Sequence, residues 1–225
     1  MSGFDADSFA ARIGPHLIDD PLGRSAPYGD ATLDASLAPM LAGRPLKDAA
    51  VLVGIVTHPG EAAVVLTQRT EHLASHAGQI AFPGGKIDRD DASPVATALR
   101  EAEEEIGLDP ADAVPVGCLP AYASNSGYRI VPVVAFVRPG LVWRPNPGEV
   151  ADVFEVPLGF LMSGANHRVA SRVWQGRRRY FYEMPFEDRY IWGVTAGILR
   201  QIFERTWGVG SPPAPGTPRR DGSSG

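Results

Sequence analysis

With 225 residues, a formal net charge of −5 and 44% apolar residues, the chain has the size of one large domain and enough apolar material for a substantial core. The acidic balance argues against a general polyanion-binding surface, so nucleic acid is not expected as a partner and an anionic substrate must be met by local cations. The single cysteine, Cys118, excludes an internal disulfide and suits a buried thiol in a reducing compartment. The polar, acidic N-terminus and the lack of a long apolar run give the expectation of a soluble, cytoplasmic protein without membrane contact.

In chain order, residues 1–45 hold an amphipathic stretch near Ser8 to Ile18 and then a Pro-, Gly- and Ala-containing segment of weak period, expected as an arm packed on the domain. The domain itself is expected over residues 46–207. Two β-branched apolar runs, Ala49 to Thr57 and Ala62 to Thr67, flank His58-Pro59-Gly60-Glu61 and read as a hairpin of buried strands. A loop carrying Arg69, His72 and His76 follows, leading to a tight turn at Gly84-Gly85, where positive φ costs glycine little.

A helix is predicted next. Ser93 is a good N-cap, Pro94 sits where a missing N–H costs nothing, and Gly107 ends it. Val95, Ala98, Leu99, Ala102 and Ile106 recur at three- and four-residue steps, giving an apolar face to pack on a sheet. At roughly 100° per residue, Glu101, Glu104 and Glu105 share an arc of about 100° beside that face, and Glu103 points away. Like charges so placed repel. A solvated acidic face with surface ion pairs would tolerate this, and Arg100 can neutralise one charge, but a hard divalent cation compensates better because Mg²⁺ takes oxygen ligands and keeps waters that a phosphate can replace.

Strands are expected again near Ala113 to Leu119, Ile130 to Val137 and Val150 to Val156, with a Ser/Asn/Gly loop from Tyr122 to Tyr128. Strand and turn rich in Tyr and Trp are read over Arg172 to Tyr182 and Arg189 to Trp192. Arg177-Arg178-Arg179 is taken as an exposed basic strand end, and His72 and His167 as surface residues. The aromatic set Tyr180, Phe181, Tyr182, Tyr190 and Trp192 is assigned to core packing or to the interface of a homodimer. Gly193 to Trp207 has helical spacing, and from Gly208 onward the composition predicts a disordered tail. The alternation of hairpins, helix, strands and terminal helix gives an α/β class with a mixed sheet between helices.

The run Arg100-Glu101-Ala102-Glu103-Glu104-Glu105-Ile106-Gly107-Leu108 matches, position by position, the second half of the Nudix box, G-x5-E-x7-R-E-U-x-E-E-x-G-U, where U is apolar. The first half departs from it: Ala92 stands where the box has its glutamate and Lys86 where it has its glycine, with Asp88, Asp90 or Asp91 as substitutes for the carboxylate. Upstream, Val65-Leu66-Thr67-Gln68-Arg69-Thr70 through Ala77-Gly78-Gln79-Ile80-Ala81-Phe82-Pro83-Gly84-Gly85 resembles the signature L-L-T-x-R-[SA]-x3-R-x3-G-x3-F-P-G-G of the coenzyme A diphosphatase branch of the Nudix hydrolases, with Ala74 replacing its second arginine. Ser126-Gly127-Tyr128 and Trp192-Gly193 also resemble this branch, so the likeness covers roughly residues 45 to 205.

That resemblance implies the Nudix α/β/α sandwich and a hydrolase of the diphosphate in coenzyme A or its thioesters, giving 4′-phosphopantetheine or its acyl form and adenosine 3′,5′-bisphosphate. Mg²⁺ or Mn²⁺ would be held by Glu101, Glu104 and Glu105. Arg100 would orient Glu101, and Glu101 could help activate the water. Glu149 is the candidate base outside the box, with a strand-edge surface charge as its plain alternative. Arg69 and His76, with the Gly84-Gly85 turn, are the candidate substrate contacts; either side chain could instead serve backbone carbonyls. Two other readings stay open: hydrolysis of ADP-ribose or another nucleoside diphosphate derivative, and a non-catalytic nucleotide-sensing module of the same fold.

Overall fold

A computed structural model describes residues 3–23, 28–41, 43–72, 77–174 and 176–208. His76 lies outside the described residues, as does the expected tail from residue 209 onward. The elements in order are α1 (Ala6–Ile13), β1 (Tyr28–Gly29), α2 (Asp30–Leu33), α3 (Ala38–Leu41), β2 (Lys47–Val56), β3 (Ala63–Arg69), β4 (Ile80–Ala81), β5 (Gly84–Lys86) and α4 (Pro94–Ile106). They continue as β6 (Ala113–Cys118), β7 (Tyr122–Ala123), β8 (Tyr128–Val137), β9 (Val150–Pro157), α5 (Leu158–Leu161), β10 (Arg168–Trp174), β11 (Arg177–Phe186), β12 (Arg189–Trp192) and α6 (Gly193–Thr206).

The centre of the main sheet is the parallel pair β2 and β8, in register from Lys47 opposite Tyr128 to Val56 opposite Val137. Both strands are near-continuous runs of Val, Ile, Leu and Ala, as burial on two faces requires. Beyond β2, β3 adds antiparallel and carries β9 and β4; beyond β8 come β6 and β7, and β1 joins β7 in parallel. The short β5, which contains Gly84 and Gly85, pairs with β2 at Ala49 to Val51.

Alternate side chains divide the core between the two faces. On one face Ala98, Ala102 and Ile106 of α4 pack with Leu52, Val65, Val131 and Val133. On the other, Phe9 and Ile13 of α1 and Ile198, Leu199 and Ile202 of α6 pack with Val53, Ile55, Val64 and Val134. This is the mixed sheet between helices expected from the sequence. A second, three-stranded antiparallel sheet, β10-β11-β12, contributes Met184 and Ile191 to the α6 side.

The boundaries of α4 coincide with the capping signals: the Ser93 side chain accepts the Ala96 amide at 3.2 Å, and Gly107 is left-handed at φ 67°. The first helix is shorter than expected, because Gly14-Pro15 breaks the ladder and the chain turns into a 3₁₀ segment at Gly14–His16. Part of the expected Tyr122 to Tyr128 loop is strand, since Tyr122 and Ala123 pair with β8 and β1. His167 is not a surface residue. It is 6% exposed, with Nε2 at 2.6 Å from the Leu161 carbonyl and its ring edge-on to Phe203, and burial pushes its pKa down to about 4. His72, Arg177 and Arg178 are exposed, as the sequence predicted, whereas Arg179, expected with them, is half-buried.

Candidate active site

The helix face beside the sheet brings Glu101 and Glu105 under the Gly84-Gly85 strand. Glu105 is 4% exposed and accepts the Gly84 amide at 3.2 Å through Oε2, while Oε1 lies 3.6 Å from an Arg69 guanidinium nitrogen. A Cβ on Gly85 would overlap the Glu101 carboxylate, which would have to move aside to admit it. A Cβ on Gly84, at φ 154°, would instead overlap the Ala50 carbonyl oxygen of the paired strand. The two glycines thus have different tasks: Gly84 permits the β5 pairing and Gly85 makes room for Glu101.

Arg100 organises the outer side of the cluster. Its Nε and Nη2 each donate to the Asp91 carboxylate at 3.0 Å, and its Nη1 reaches Glu101 Oε1 at 3.0 Å and Glu104 Oε2 at 3.2 Å. Asp91 also accepts the Thr97 hydroxyl at 2.9 Å and the Asp88 amide at 3.0 Å. Of the three aspartates that could replace the missing box glutamate, Asp91 is therefore the one fixed to the helix. Asp88 stays 3.8 Å from Arg100 and Asp90 is exposed. The hydrogen bonds from Arg100 hold the Asp91 carboxyl well below the usual range, and Arg100 in turn is raised by Asp91. The Glu104 side chain remains 57% exposed, with Arg100 as its partner.

The charge balance inside the cluster is incomplete. Burial lifts Glu105 to about 7; the Gly84 amide and Arg69 pull it down, but Glu101 and Glu149 push it up. Glu101 is raised too, again mainly by burial, against the pull of Arg100 and with Glu104 and Glu149 adding to the rise. Glu149 is itself exposed, and its charge is felt by both. It stands on a loop tied to the helix: the Asn146 amide donates to the Glu105 carbonyl at 2.8 Å, and the Glu149 carbonyl accepts the Thr70 amide at 3.0 Å.

Arg69, Gly84, Gly85, Arg100, Glu101, Glu105 and Glu149 are thus brought to one end of the sheet, with Glu104 at the rim. Asp91 was one of three alternatives in the sequence, and Thr97 carried no signal at all. The donor set suits a hard divalent ion, since it is all oxygen and holds more negative charge than Arg69 and Arg100 relieve. Among the described residues no three acidic, His or Cys side chains converge tightly enough to enclose a metal by themselves. Glu101 and Glu105, both withdrawn from solvent in this cluster, are the carboxylates that could hold a divalent ion.

Comparison with known proteins gives the family. The family model for the NUDIX domain matches residues 46–172. The chain is 39% identical over 183 residues to a protein of Shigella flexneri serotype 5b named as an uncharacterised Nudix hydrolase, NudL, covering 78% of this chain and 95% of that one. It is 41% identical over 156 residues to the protein of the same name from Escherichia coli K12, covering 69% and 81%. Among solved structures it resembles a Nudix hydrolase from M. smegmatis, RenU, with TM-score 0.43 and 28% identity over 49% of this chain and 70% of that one. Nudix hydrolases generally use divalent ions such as Mg²⁺ or Mn²⁺. The chain belongs to the Nudix hydrolase family, whose members cleave the pyrophosphate bond of nucleoside diphosphate derivatives.

Proposed function

We propose that this Nudix hydrolase cleaves the diphosphate of coenzyme A or its thioesters, releasing 4′-phosphopantetheine or its acyl form and adenosine 3′,5′-bisphosphate. The observation that carries the reading is the Arg69–Glu105 contact at 3.6 Å. It joins the segment that resembles the coenzyme A diphosphatase signature to the box helix, and this supports the reading that Arg69 meets the diphosphate.

A diphosphate resists hydrolysis because its charge repels nucleophiles, so the protein must offset that charge and orient a water. A divalent ion, when bound, neutralises phosphate oxygens and lowers the pKa of a water. Glu101, Glu105 and Glu104 are the residues that would hold it. Arg69 faces the phosphate and offsets charge that the carboxylates do not tolerate alone. Arg100, pinned by Asp91, keeps Glu101 in one rotamer. Glu149, exposed on the loop after Asn146, accepts the proton of the attacking water. The Gly84-Gly85 strand closes the floor.

A panel of coenzyme A, acetyl-coenzyme A and ADP-ribose assayed with Mg²⁺ and with Mn²⁺ tests this. Release of adenosine 3′,5′-bisphosphate from the coenzyme A substrates at a kcat/KM above that for ADP-ribose supports it. Fast turnover of ADP-ribose with no such release assigns the chain to the other substrate class. Tight binding without turnover of any of them points to a sensor.

A further inference from the structure

At the point where β3 enters the site its pairing with β9 slips: Gln68 is opposite Asp152, but the next residue, Arg69, is opposite Val150, leaving Ala151 as an extra residue. A bulge of this kind bends a strand and re-aims the side chains beside it. The residues re-aimed here are the two that matter. Arg69 turns toward Glu105, and Glu149 follows on from Val150 with its carbonyl bound to the Thr70 amide.

Arg189 braces the pair just before this slip. One guanidinium nitrogen donates to Gln68 Oε1 at 2.8 Å and another to Asp152 Oδ2 at 2.6 Å, so a single planar fork holds both strands at the last pair before the bulge. The guanidinium carbon sits 4.3 Å from the centroid of the Phe154 ring on the same strand as Asp152, which adds a cation–π contact and fixes the plane of the fork. Its side chain is only 23% exposed. The turn that delivers it places Glu187 at φ 51°, a left-handed conformation that non-glycine residues rarely adopt.

We propose that Arg189 is a positioning residue: by pinning Gln68 to Asp152 it locks the bulge between β3 and β9 and so aims Arg69 at the diphosphate. The catalytic consequence rests on the function proposed above. The mechanical part does not. A misplacement of about 1 Å at a reacting centre can cost about 100-fold in rate, so a residue that never touches substrate can matter this much.

Two measurements test it. Hydrogen exchange on Arg189→Met needs no substrate: exchange of the Arg69 amide, which donates to the Gln79 carbonyl, and of the Thr70 amide is expected to quicken about 10-fold or more, while Val64 and Leu66 amides in the same strand keep their rates. A uniform change along β3, or none, overturns the proposal. The second is a double-mutant cycle on whichever nucleoside diphosphate derivative the wild type turns over. Arg189→Met is expected to lower kcat/KM about 10- to 100-fold in the wild type but less than about 3-fold when Arg69→Met is already present, because its effect runs through Arg69. Equal losses in both backgrounds would mark a purely structural residue. Arg189→Lys, which reaches one acceptor but not both, is expected to fall between and supplies a folded variant should the methionine prove unstable. Failure of coenzyme A as a substrate would leave the exchange result standing, which separates the two ideas.

Discussion

Asp91 and Arg100 form a two-bonded pair, with Nε and Nη2 of the arginine each 3.0 Å from the carboxylate, across nine residues of turn and helix. The pair fixes the only guanidinium that touches both Glu101 and Glu104 among the described residues. Breaking it should free Arg100 to collapse onto the glutamates. Asp91→Ala is expected to lower kcat/KM about 10- to 100-fold and to cost about 1–3 kcal/mol in stability, while Asp90→Ala changes neither. Urea unfolding and steady-state kinetics on the two variants check this.

The two glycines of β5 give a contrast. A methyl at Gly85 meets the Glu101 carboxylate, the end of a side chain that can move, whereas one at Gly84 meets backbone at Ala50. Gly85→Ala should therefore damage activity far more than stability, with kcat down on the order of 10-fold or more and a midpoint within a few degrees of wild type. Gly84→Ala should lower the unfolding midpoint by several degrees in addition. Thermal scans set beside kinetics separate the two, and an identical loss of stability in both would refute the division of labour.

Much of this was legible in the sequence because it is local. Ser93, Pro94 and Gly107 mark the ends of α4 within a residue, and the 3.6-residue period alone puts Glu101 and Glu105 on one side. The choice of Asp91 over Asp88 and Asp90 was not legible, since three aspartates within four positions differ only in how the loop folds back on Arg100. His167 looked like a surface histidine because the chain around it is polar. It is buried by Phe203 on α6 and by the Leu161 carbonyl. Arg189 carried no signal either, as its partners lie 121 and 37 residues away.

Two buried groups should set opposing pH slopes in metal-free protein. Glu105, raised from 4.5 to about 7, binds its proton more tightly folded than unfolded, so its contribution to stability is full below about pH 4.5 and falls by roughly 3 kcal/mol as pH rises through 7. His167, lowered from 6.5 to about 4, does the reverse: its contribution is full above about pH 6.5 and is lost, again by roughly 3 kcal/mol, as pH drops toward 4. In the wild type the two largely cancel between pH 4.5 and 6.5. Chemical denaturation in the presence of chelator should show Glu105→Gln gaining stability with pH over this window and His167→Gln losing it. Parallel curves for the two variants would contradict both assignments.

Glu101 and Glu105 are proposed to serve a divalent ion that engages a diphosphate. The most direct measurement is calorimetric titration of Mn²⁺ into wild type and into Glu105→Gln at pH 7.5, with turnover of coenzyme A followed in the same samples. Saturable Mn²⁺ binding is expected to weaken about 10-fold or more in the variant, together with a loss of kcat on the order of 100-fold or more and an unchanged circular dichroism spectrum. Equal Mn²⁺ affinity and undiminished turnover in Glu105→Gln would contradict this role.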